Sequence, residues 1–139
     1  MRLYYAHAIC IYGTAVEAKE VDALGRCFPS CVIVNTGLLQ AGADKNGDKM
    51  QYFFHLIDDC DVLVFSRLLD KVTAGVGLEA NHAIDKRIPV YELANERLTR
   101  VVRPMSFLSK EETLNQYDAW WRGQANAKPI SVLKWHKRV

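Results

Sequence analysis

Long apolar runs are missing from this 139-residue chain. No stretch approaches the roughly 18 consecutive apolar residues of a membrane-spanning helix. The opening MRLYYAHAIC is interrupted at once by polar and small residues, so no secretory leader is expected. Charge of one sign is also scarce. The net charge is only +2, too little to argue for a nucleic acid polymer or a membrane surface as partner. Cysteine pairs are few: of Cys10, Cys27, Cys31 and Cys60, only the two in CFPSC lie close together. A structural zinc site takes four ligands, usually in two such pairs, so no metal is expected. Free thiols belong in a reducing compartment, and the expected location is cytoplasmic. No G-x-G-x-x-G and no Walker A motif occurs. Neither a dinucleotide nor a triphosphate is indicated, and no cofactor is expected.

What is present is a globular composition, half apolar and about a quarter charged. The length suits one domain, 1–139, with its own core. Short strands are predicted at 2–6 (RLYYA), 31–35 (CVIVN), 61–66 (DVLVFS), 88–93 (IPVYEL) and 98–103 (LTRVVR). A helix follows the first strand, opened by a Thr14–Glu17 capping box and closed near Gly25. A second is expected over 48–59, with Asp48 as cap and Met50, Phe53, Phe54 and Ile57 buried. A third runs from near Gly77 to Lys86, and a fourth from a Ser109–Glu112 capping box to about Trp121. Residues 36–47 and 122–139 read mainly as loop. No repeat or linker interrupts the pattern.

Strands alternate with helices, and the strands are apolar throughout rather than every second residue. That marks a parallel sheet covered on both faces. The expected fold is α/β, a three-layer sandwich with a mostly parallel sheet of about five strands, flavodoxin/Rossmann-like. In such sheets ligands bind beyond the carboxyl ends of the strands. Three segments converge there: AHAICIYGT, NTG and SRLLDKVTAGVG.

The third of these leads into KVTAGVGLEA, residues 71–80. Gly75 and Gly77 permit a tight turn and close approach of a ligand. Glu79 is expected in the first helical turn, either complementing the helix dipole or serving as a reactive carboxylate. Thr73 has the residue type of an N-cap.

The block D61-VLVFSRLLDKVTAGVGLEANHAIDKRIPVYEL93 resembles the nucleoside 2-deoxyribosyltransferase superfamily, which includes the 2′-deoxynucleoside 5′-monophosphate N-glycosidases. The carriers are Asp61 leading a buried strand, Gly75-Val76-Gly77-Leu78-Glu79, Ala83 on the helix, and Asp85-Lys86-Arg87 at the turn. The opening R2-LYYA6, with Tyr4, looks like the family's first strand. The resemblance covers roughly residues 2–93. It implies that Glu79 is a nucleophile attacking the anomeric carbon of a nucleoside, with water or a second base resolving the glycosyl ester. It implies that Thr73 and the amides around Gly75 and Gly77 hold the phosphate or sugar, the glycines clearing space for it. Tyr4 and His7 would line the pocket, and the chain would form a homo-oligomer. The partner is then a small nucleoside or nucleotide. Two positions depart from the family pattern. Phe53 stands where the family has a proton-transferring aspartate, and His7-Ala8-Ile9-Cys10 replaces a Gly/Ser/Arg-rich phosphate loop. A nucleotide-binding module without activity is therefore the alternative reading.

Other constellations are bland by comparison. Glu79 and His82, or His55 and Asp59, fall short of a di-iron set. Arg67 and Asp70 read as solvated loop charges. Tyr117, Trp120 and Trp121 form a helical aromatic stripe, best read as core or a subunit contact.

Overall fold

A computed structural model describes residues 1–38 and 49–124. The expected Asp48 cap, most of the 36–47 loop and the segment from 125 onward lie outside these residues. The described chain is an α/β sandwich. Five strands, β1 (Arg2–Ala6), β2 (Val32–Asn35), β3 (Val62–Phe65), β4 (Val90–Ala94) and β5 (Arg97–Val101), form one sheet in the order β2-β1-β3-β4-β5. The first three pairings are parallel, and β5 runs antiparallel to β4 at the edge. The helices are α1 (Ala15–Cys27), α2 (Lys49–Asp58), α3 (Ala74–Asp85) and α4 (Lys110–Arg122).

Strand pleating sorts the core into two layers. Tyr4, Ala6, Leu63 and Phe65 face α2 and α3, meeting Phe53, Ile57, Val76, Ala80 and Ala83. Leu3, Tyr5, Val62 and Val64 face the other way, onto Ala23 and Leu24 of α1. Both faces of β1 and β3 are therefore buried, which explains their uninterrupted apolar sequence. Asp61 fixes the start of the sheet: its Oδ2 accepts from the Arg2 N–H at 2.7 Å, and its own N–H donates to the Arg2 carbonyl at 2.8 Å. A third cluster lies over the loops that leave the sheet, where Tyr117 and Trp120 of α4 pack on Ala8, Cys10, Ile11 and Leu68. The aromatic stripe of α4 is thus core.

Two helix boundaries and one cap differ from expectation. Helix α1 passes through Gly25 to Cys27, since apolar packing by Ala23 and Leu24 carries the last turn. Its capping box is only half made. Thr14 Oγ1 accepts from the Glu17 N–H at 3.4 Å, but Glu17 reaches back to the Gly13 N–H at 3.1 Å. Helix α3 starts at Ala74, three residues before Gly77. By contrast, the Ser109–Glu112 capping box at α4 is complete.

Candidate active site

The early start of α3 relocates the central residues. Gly75 and Gly77 belong to its first turn, and Glu79 lies in the second, where helix-dipole complementation has faded. The Glu79 side chain turns inward and is fully buried. Its Oε2 accepts a hydrogen bond from the hydroxyl of Tyr4, itself fully buried on β1. The pair joins β1 to α3 beneath the carboxyl ends of the strands. A carboxylate taken out of water needs such a donor.

The two glycines serve different ends. A Cβ on Gly77 would lie 2.3–2.5 Å from the Cβ, Cγ and Cδ1 atoms of Phe107. Gly77 therefore makes room for Phe107 rather than for a sugar. A Cβ on Gly75 would meet only Glu79 Oε1, at 3.9 Å. Gly75 is the glycine that leaves space beside the carboxylate.

Phe107 is delivered by the strap between β5 and α4. Asn81 holds that strap with both ends of its amide, donating to the Met105 carbonyl at 2.9 Å and accepting from the Met105 N–H at 2.8 Å. The Leu108 N–H donates to the Val72 carbonyl at 2.9 Å. Asn81 carries no signal of this role in the sequence. Its strap-binding role depends on a segment 24 residues away.

Thr73 occupies the N-cap position of α3 without capping through its side chain. The Ala74 N–H is instead received by Thr113 Oγ1 of α4 at 2.9 Å. Thr73 is 2% exposed. With His7, Ile9, Met50, Gly75, Val76 and Tyr117 it lines a cavity of about 10 Å³, room for roughly one water. Among the described residues no acceptor meets the N–H groups of Gly75 and Val76, so they point out of the helix end.

His7 is placed in the same lining, but both its nitrogens are committed. Nδ1 faces the Tyr5 carbonyl at 3.2 Å and Nε2 faces Glu17 Oε2 at 2.6 Å, while the ring stacks on Tyr5. That leaves ring carbons toward the cavity. The His7 hydrogen bond is the main reason the Glu17 carboxyl sits below its ordinary range. Next to it, the Tyr5 phenol and the Ser66 hydroxyl both donate to Glu20. Burial, then the Glu20 charge, pushes the Tyr5 phenol far up.

The remaining candidates disperse. Phe53 is fully buried in the core. His82 turns to Asp58 of α2 at 2.8 Å and stacks on Phe54, away from Glu79. His55 pairs with Gln51 at 3.0 Å. Arg67 pairs with Glu92 at 3.0 Å, and Asp70 sits at a hairpin tip with φ 66°. Among the described residues no group of three His, Cys, Asp or Glu side chains is arranged to hold a metal ion. None of the described helices is long and apolar enough to cross a membrane.

The arrangement thus brings together an oriented buried acid, a glycine α-carbon beside it, and the N–H groups that open the same helix. No protein-family model, curated protein or solved structure matches the chain.

Proposed function

We propose that the protein cleaves or transfers at the N-glycosidic bond of a (deoxy)nucleoside or nucleoside 5′-monophosphate, with Glu79 as nucleophile. The observation that carries this reading is the Tyr4–Glu79 hydrogen bond. It fixes a carboxylate below the carboxyl-end rim of a parallel sheet, with Oε2 on the tyrosine and Oε1 toward Gly75. Oε1 attacks the anomeric carbon as the bond to the base breaks, and the bond's electron pair leaves with the base, which takes up a proton. Water, or the nitrogen of a second base, then displaces the glutamyl ester. Thr73 and the amides of Gly75 and Val76 hold the phosphate or the 5′ end of the sugar. Tyr4 positions the nucleophile, and His7 and Gly77 support the walls. Assembly into homo-oligomers and a cytoplasmic location complete the proposal.

One set of observations favours a second reading, a nucleotide-binding or sensing module without turnover. Phe53 has no proton to give, and Glu79 is wholly enclosed. The two readings separate on a covalent intermediate. Acid-quenched mixtures with nucleosides and nucleotides, digested and analysed by mass spectrometry, should carry a glycosyl adduct on the peptide containing Glu79. Saturable ligand binding with no adduct and no released base would select the binding module.

A further inference from the structure

Beside the candidate site runs an apolar groove of about 250 Å³, walled by Met50, Ala74, Gly75, Leu78, Phe107 and Leu108, with Ser109 and Lys110 at its end. It shares Met50 and Gly75 with the small cavity that holds Thr73 and Val76. The two spaces are therefore neighbours, and the flexible, unbranched, half-buried side chain of Met50 lines both. Their chemistry differs. The inner cavity has the polar Thr73 and the start of α3, with Gly75 and Val76, in its lining. The outer groove is apolar and presents Phe107 and Leu78, each 40% exposed.

An exposed aromatic normally costs something, and this one is held with care. Its seat exists only because residue 77 has no side chain, and the Asn81–Met105 bonds fix the strap that carries it. A rigid aromatic face beside a polar pocket suits a ligand with an oxygen-rich head and a flat body.

We infer that the outer groove is the nucleobase subsite, with Phe107 as the base-contacting and specificity-determining residue and Met50 as the movable partition between base and sugar ends. This rests on the reading above, in naming which end of the substrate lies where. The closed inner cavity is then a resting state. Displacement of Met50 merges cavity and groove and admits the ligand past Gly75 toward Glu79.

The test uses the whole chain with its three methionines methyl-labelled, and free adenine, free thymine and ribose 5-phosphate as separate probes. A free base should shift the Met50 methyl signal and leave Met1 unmoved. Ribose 5-phosphate should shift the amides of Gly75 and Val76. Phe107→Leu, which keeps an apolar filling over Gly77, and Gly77→Ala, which expels Phe107, should each weaken base binding at least about fivefold, the low end for one base–aromatic stack. Thermal melting of Phe107→Leu shows that the fold is kept. Base shifts that miss Met50, or affinities that neither variant changes, overturn the inference. Sugar-phosphate shifts at Gly75 with no base in the groove would overturn it and spare the catalytic reading. Base bound in the groove with no turnover of any nucleoside would uphold it and sink that reading.

Discussion

Tyr4, the third residue of β1, and Glu79 in the second turn of α3 share a buried hydrogen bond across 75 residues of sequence. Neither side chain has any exposed surface, so each depends on its environment for a polar partner. Tyr4→Phe removes the donor and leaves the carboxylate short of one bond in the interior. The expected loss is about 1–3 kcal/mol of stability, read as a lower urea midpoint at unchanged slope. Base release should fall with it, because Oε1 is no longer aimed.

The two glycines should respond in opposite ways to alanine. Gly77→Ala drives a methyl into Phe107, an overpacking expected to cost about 1–3 kcal/mol. Gly75→Ala has only the Glu79 carboxylate nearby. It should hold or raise stability, by up to about 1 kcal/mol from helix propensity, while ligand binding suffers. Thermal melts and ligand titrations on the pair check the contrast.

Much of this was legible in the sequence, for physical reasons. Strands β1 and β3 were read within a residue because burial on both faces makes them uniformly apolar. The α4 cap was read because Ser109 and Glu112 satisfy each other locally. The start of α3 at Ala74 is not legible, because two glycines within four residues look like a loop; Thr113, 39 residues on, supplies the acceptor for the Ala74 N–H. The same holds for Gly77, whose purpose lies in Phe107. The antiparallel direction of β5 has no local signature in LTRVV. His7 is legible as a rim residue by position but not in its partners, since Glu17 reads locally as half of a capping box.

Thiol chemistry should separate the four cysteines. Burial pushes the Cys10 thiol up to about 12 and also raises Cys60, whereas Cys27 is exposed. Reactivity follows the accessible thiolate. A maleimide should therefore label Cys27 first and half-buried Cys31 next, with Cys10 and Cys60 modified only on unfolding. Mass mapping against time reads the order.

Acid should loosen α1 from the rim through Glu17. Its folded value is depressed below the ordinary 4.5, first by the His7 hydrogen bond. The unfolded chain then takes the proton first as pH falls. The stability this contributes is fully present above about pH 4.5 and is lost as pH drops through the lower folded value. Glu17→Gln should flatten the stability profile below that point, with little change in its slope near neutrality. Urea midpoints across pH 3 to 7 measure it.

The most direct measurement of the central claim is chromatographic detection of free base after incubation with a panel of ribo- and deoxynucleosides and their 5′-monophosphates, for the native chain and for Glu79→Ala. The account predicts base release by the native protein and none by the variant, with the 5′-monophosphates favoured if Thr73, Gly75 and Val76 bind phosphate. Equal release by both proteins, or none from a folded native chain on any substrate, would contradict it.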